Sequence, residues 1–131
     1  MAKAIHSMIR VLNEQASVDF YQKAFDLSVA HRWDFDSFTL VYLSNTESTF
    51  ELELTINKDQ TEPYEHGTGY GHLAVSVDNL ENEHKKMTEH GYSPRKIVEF
   101  EREGELLAKF FFIVDPDGYE IEVLQRQGRF L

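Results

Sequence analysis

The chain has 131 residues, a length suited to one domain of roughly 100–200 residues, with 13 basic and 23 acidic side chains and a formal net charge of −10. That charge argues against a nucleic-acid binder, which needs a basic stripe, and against attraction to anionic lipid; the absence of cysteine excludes disulfides, thiolate nucleophiles and cysteine-held metals. Apolar residues at 41% suffice for a packed core, no apolar run approaches the ~20 residues of a membrane span, and the first residues lack the apolar stretch of a secretory signal, so the expectation is a compact cytoplasmic protein.

Residues 4–11 are β-rich and short, a strand pattern. Asn13 is placed to cap a helix over about 14–25, with Val18, Tyr21 and Phe25 on one face. Three strands are expected next, at about 28–34, 38–44 and 50–56. A polar loop from Asn57 to Tyr70 holds the breakers Pro63, Gly67 and Gly69.

The pattern then returns. Residues 71–77 read as a strand. Asp78 and Glu81 form a capping-box pair for a helix over about 79–90, with Leu80, His84 and Met87 on one face and Gly91 just past its end. Strands follow at about 94–100, 107–114 and 119–125. Asp115-Pro116-Asp117-Gly118 suits the last turn, with Pro at the second position and Gly at the fourth.

The chain is thus read as one α+β domain over 1–131, made of two βαβββ units (1–57 and 71–131) joined by a linker at 58–70. A unit of this size is too small to bury its sheet face alone, so the two sheets are expected to form a shared cup. His6 recurs 66 positions later as His72, and Glu53 recurs 69 positions later as Glu122. In period-2 strands, Leu52, Leu54, Ile121 and Val123 point to one face and the two glutamates to the other. Two imidazoles and two carboxylates make an N2O2 donor set suited to Ni, Zn, Fe or Co. Two close carboxylates without a cation would repel. Glu51 and Glu120 alternate in step with Glu53 and Glu122, and alternation does not separate them.

Several segments resemble bacterial glyoxalase I (lactoylglutathione lyase) of the vicinal-oxygen-chelate superfamily. They are His6-Ser-Met-Ile-Arg10-Val with Val18-Asp-Phe-Tyr-Gln-Lys-Ala-Phe, Glu53-Leu-Thr-Ile-Asn57, Gly67-Thr-Gly-Tyr-Gly-His72, and Asp115-Pro-Asp-Gly-Tyr-Glu-Ile-Glu122. The resemblance covers nearly the whole chain. It implies that His6, Glu53, His72 and Glu122 ligate the metal, rather than Glu51 or Glu120. It implies a homodimer with each metal between two chains, His6 and Glu53 from one and His72 and Glu122 from the other. It puts Ni²⁺ first, with Co²⁺ or Zn²⁺ as alternatives.

The implied reaction isomerises the glutathione–methylglyoxal hemithioacetal to S-lactoylglutathione, with glutathione as co-substrate. The metal would stabilise an enediolate as a Lewis acid. By the same resemblance Glu122 is the chief base, and Glu53 serves the opposite face or the other epimer. Arg10 lies on the His6 face of its strand and, by resemblance, holds a glutathione carboxylate; Asn57 contacts the glutathione backbone. No nucleic acid or membrane partner is expected.

The chain departs from the family at Lys58-Asp59, where Trp-Gly is usual, and in residues 100–109, which lack the usual Gly/Lys-rich pattern. Lys109 is the candidate replacement for the missing Lys. Trp33 and Phe110–Ile113 are expected in the core or a pocket wall. His31, His66, His84 and His90 are expected to face solvent or support the site. The alternatives are a dioxygenase, epimerase or thiol transferase of the same superfamily, which usually present two His and one carboxylate, or an antibiotic-binding module that needs no ligand set.

Overall fold

The computed structural model describes residues 1–131. They form two compact units, Met1–Glu65 and His66–Leu131. The first contains β1 (His6–Arg10), α1 (Glu14–Phe25), β2 (Ser28–Asp34), β3 (Phe38–Ser44) and β4 (Glu51–Asn57). The second contains β5 (Leu73–Val77), α2 (Leu80–Glu89), β6 (Val98–Arg102), β7 (Glu105–Val114) and β8 (Glu120–Gln125), followed by a 3-10 turn at Gly128–Phe130. Both units are βαβββ, as the sequence repeat predicts. No helix is long and apolar enough to cross a membrane.

Each unit folds its strands into a four-stranded sheet, β1-β4-β3-β2 in the first and β5-β8-β7-β6 in the second. The first and last strands of each unit pair in parallel, β1 with β4 and β5 with β8, and the other pairs are antiparallel. This topology has a chemical consequence. It lays the strand that ends the unit beside the one that begins it, so residues 45 positions apart in the first unit and 48 apart in the second become neighbours.

One face of each sheet is apolar. In the first unit Ile9, Val41, Leu43, Leu52 and Leu54 are buried, together with Ser17, Phe20, Tyr21 and Ala24 of α1. The helix therefore buries a stripe rotated by about one residue from the Val18–Tyr21–Phe25 line; Val18 and Phe25 are only half-buried. The buried rings of Phe20 and Tyr21 meet edge-on, centres 5.1 Å apart. In the second unit Phe111, Ile113, Ile121, Val123, Leu80 and Met87 form the buried set.

The first helix is capped as expected, Asn13 Oδ1 accepting from Ala16 N at 2.8 Å. The second is not. Asn79, rather than Asp78, is its N-cap, accepting from Asn82 N at 3.0 Å. Glu81 is drawn away to an ion pair with Lys109, and Asp78 to one with Arg126. Gly91 follows α2 with φ +81°, the left-handed geometry that favours glycine there. The sixth strand begins at Val98 instead of residue 94. Arg95 lies in the segment before it, with its backbone N–H on Phe112 O at 2.9 Å.

The turn before β8 closes on Asp115. Its Oδ1 accepts from Asp117 N and Tyr119 N, both at 2.9 Å, and Gly118 N donates to Asp115 O at 3.0 Å. Gly118 has φ +85°. This fixed turn sets where β8, and so Glu122, begins.

Candidate metal centre

His6 is the first residue of β1, and His72 immediately precedes β5 rather than lying within it. The parallel register puts His6 opposite Glu51, with Glu53 two residues further along β4 on the same face. The His6 ring nonetheless meets Glu53, Nε2 to Oε1 at 3.6 Å. The second unit repeats the arrangement, with His72 Nε2 to Glu122 Oε2 at 3.5 Å. Both separations are too long for a direct hydrogen bond. Two donors each about 2.1 Å from one ion, at tetrahedral or somewhat narrower angles, stand roughly 3.0–3.5 Å apart. The imidazole–carboxylate chemistry, with one pair at the upper end of that spacing and the other 0.1 Å beyond it, fits two ligands of one divalent cation. No group of three or more such donors gathers within the single chain; the donors come as two pairs, one in each unit.

Each glutamate stands on the sheet face opposite the apolar core. Glu53 is itself buried, at 9% exposure, between the buried Leu52 and Leu54 in the chain. Tyr42 stands directly across the ladder from Glu53, and that carboxylate beside its hydroxyl, with burial and the nearby Glu51, pushes the phenol up to about 12.

The alternating glutamates of the second unit have different partners. Glu120 is engaged by Arg95 through Nη1 at 2.7 Å and Nη2 at 2.6 Å, which lowers its pKa. Glu122 is left beside His72. In the first unit Glu51 has no comparable arginine partner and differs from Glu53 chiefly in exposure and in Tyr42. Sequence reading missed both Arg95 and Tyr42. Tyr42 was detectable in principle, because strand alternation puts it on the same face of β3 as Glu53 on β4. Arg95 lies before its strand, where no periodicity applies.

Aromatic side chains extend the face beside each pair. In the first unit, His6 meets Tyr42 edge-on at 5.9 Å, Tyr42 meets Trp33 at 5.8 Å, and Trp33 meets His31 at 4.5 Å. Trp33 is half-exposed, so it is surface wall and not core. In the second, His72 meets Phe112 at 5.2 Å and Phe112 meets Phe110 at 5.9 Å. Phe111 and Ile113 alternate into the core.

Arg10 ends β1, exposed, opposite Thr55. Asn57 is the last residue of β4, and its Nδ2 donates to Tyr64 Oη at 3.1 Å. Lys109 is committed to Glu81, and Lys58 to Asp34 at 2.9 Å. Of the other histidines, His84 bonds Arg95 O at 3.0 Å, His66 stacks on Tyr119 at 4.0 Å, and His90 stacks on Tyr92 at 5.6 Å. His84 thus supports the segment that carries Arg95.

Comparison with known proteins gives a consistent picture. Residues 3–123 match the model of the Glyoxalase/Bleomycin resistance protein/Dioxygenase superfamily. The chain is 35% identical over 131 residues to the lactoylglutathione lyase of Neisseria meningitidis serogroup A, covering 96% of this chain and 92% of that one. It is 31% identical over 129 residues to the lactoylglutathione lyase of Escherichia coli O157:H7, covering 95% and 93%. Among solved structures it is similar to the trypanothione-dependent glyoxalase I of Leishmania major, with TM-score 0.76, 35% identity and coverage of 95% and 87%. It also resembles glyoxalase I from Zea mays, with TM-score 0.84, 25% identity and coverage of 96% of this chain and 45% of that one. With a duplicated βαβββ fold, a His–Glu pair in each copy and relatives matched over nearly their full length, the chain belongs to the glyoxalase family of that superfamily.

Proposed function

We propose that this protein is a lyase of the lactoylglutathione lyase type, a metal-dependent glyoxalase I that isomerises the hemithioacetal of methylglyoxal and a thiol to the lactoyl thioester. The observation that carries this reading is the repeated pair, His6 with Glu53 at 3.6 Å and His72 with Glu122 at 3.5 Å. Similarity to the family supports a homodimer in which His6 and Glu53 of one chain and His72 and Glu122 of its partner complete one centre. Ni²⁺ is the first choice, ahead of Co²⁺ and Zn²⁺.

A divalent cation held by His6, Glu53, His72 and Glu122 would supply Lewis acidity that makes the substrate C–H more acidic. Glu122 takes the proton from the carbon that bears sulfur and delivers it to the adjacent carbon, so the net change is one proton moved and no redox partner used. Glu53 serves the opposite face or the other epimer. Arg10 presents a fork to a carboxylate of the thiol peptide, and Asn57 contacts the peptide backbone. Retention of both carboxylates beside both histidines favours the isomerase over superfamily enzymes with two His and one carboxylate.

The deciding experiment removes metal with a chelator, restores Ni²⁺, Co²⁺ or Zn²⁺, and follows thioester formation from methylglyoxal. Glutathione and trypanothione are compared, because Lys109 is held by Glu81 and the residues 100–109 depart from the usual glutathione-closing pattern. Thioester with at least one metal and thiol is expected. None with any combination removes the reading.

A further inference from the structure

The two imidazoles are held in different ways. His6 opens β1 and pairs with Glu51 across the parallel ladder, and Glu51 N donates to Ile5 O at 3.0 Å just before it. His72 lies outside its ladder, which begins one residue later with Leu73 opposite Ile121. The chain that leads to it reads Gly67-Thr68-Gly69-Tyr70-Gly71. Glycine at every second position leaves the backbone few steric restraints. Gly67 takes φ +66°, and nothing lies within 4 Å of where a Cβ would stand on any of the three glycines. Neither strand pairing nor close packing at its glycines fixes this segment.

Aromatic rings fix it instead. His66, at the start of the segment, lies flat on Tyr119, with ring centres 4.0 Å apart and an interplanar angle of 9°. Tyr70, two residues before His72, meets the Tyr119 ring edge-on at 5.2 Å and the His66 ring at 6.2 Å. Tyr119 is a firm base for both. It is buried, its N–H donates to Asp115 Oδ1 at 2.9 Å, and its carbonyl accepts from Asp115 N at 3.0 Å. It immediately precedes β8, three residues before Glu122. The rings thus tie the glycine-rich segment to the strand that carries the glutamate beside His72. The Nε2 of His66 is buried without a hydrogen-bond partner. A buried polar atom left unpaired is unfavourable, so this ring keeps its place through stacking.

We propose that His66 is a positioning residue: by stacking on Tyr119 it holds residues 67–71 so that the His72 imidazole stays in register with Glu122 for a common cation. This inference rests on the metal-centre reading above. Metal ligands depend on such supporting contacts, and their loss lowers metal affinity by about 10- to 100-fold.

The test uses His66→Ala and His66→Phe in the full-length protein, and His66→Ala combined with His72→Ala. Ni²⁺ affinity is read by competition with a chromophoric chelator. Backbone order parameters of residues 67–72 are read by NMR in the metal-free protein, and thermal melting confirms that each variant folds. His66→Ala is expected to weaken Ni²⁺ binding about tenfold and to lower the order parameters. His66→Phe keeps a flat ring and removes the unpaired nitrogen, so it is expected to restore both. In the His72→Ala background, His66→Ala is expected to cost no further affinity, because the ligand it positions is gone. A loss that persists in that background overturns the inference, as does a failure of His66→Phe to restore binding. A protein that binds Ni²⁺ equally well whatever ring or methyl stands at position 66 keeps its metal centre and removes the positioning role alone. A protein that binds no divalent cation removes both.

Discussion

Arg95 grips Glu120 with both terminal nitrogens, at 2.7 and 2.6 Å, while its guanidinium lies 6.0 Å from the centre of the Phe112 ring. One side chain thus restrains the glutamate two residues from Glu122 and rests against the ring that touches His72. Replacing Arg95 by Gln releases Glu120 as a competing carboxylate. The pair is largely exposed, so the loss of stability should stay below about 1 kcal/mol, whereas thioester formation should fall several-fold. An unchanged rate would show that Glu120 needs no restraint.

The ligand assignment predicts different outcomes for the two kinds of donor. His6→Ala removes an imidazole and should lower metal occupancy, read by metal analysis of the purified protein. Glu122→Gln keeps an oxygen donor and should retain much of the metal while turnover is abolished. Unchanged occupancy in the first or full activity in the second contradicts the assignment.

Acid should act through restrained carboxylates. Glu120 and Asp34 both have pKa values below their ordinary ones, Glu120 because of Arg95 and Asp34 because of Lys58 and Thr39. A carboxylate whose folded pKa is lowered stabilises the fold above its unfolded pKa, about 4, and loses that contribution as pH falls through the folded value. Melting temperature should therefore drop below about pH 4.5. Arg95→Gln should flatten part of that drop, and added salt should do the same, since both pairs lie near the surface.

The cap of α2 separates two neighbouring side chains. Asn79→Ala removes the acceptor for Asn82 N and should cost about 1 kcal/mol. Asp78→Ala loses only an exposed pair with Arg126 and should cost less. Equal melting shifts would place the cap wrongly.

Element order and type were legible because burial imposes period 2 on strands and a 3.6-residue stripe on helices. α1 carries its own start signal in Asn13 and matches its predicted span of 14–25. The second start was misread because Asp78 and Asn79 are both good caps, and distant partners decide between them: Arg126 takes Asp78 and Lys109 takes Glu81. The His and Glu candidates were visible through the repeat. Their assignment over Glu51 and Glu120 was not, because alternating residues share a face; in the second unit the distinction depends on Arg95, 25 residues from Glu120. Tyr42 went unremarked for a related reason. Its partner lies on another strand, and local sequence does not state cross-strand register.

Each His–Glu pair lies wholly within one unit, and this has an evolutionary consequence. On the proposed ligand assignment, a gene encoding a single βαβββ piece specifies two donors, and two copies of its product supply four. Once the copies are joined in one polypeptide they are free to diverge, as the Tyr42 of the first and the Phe112 of the second do at one matched position.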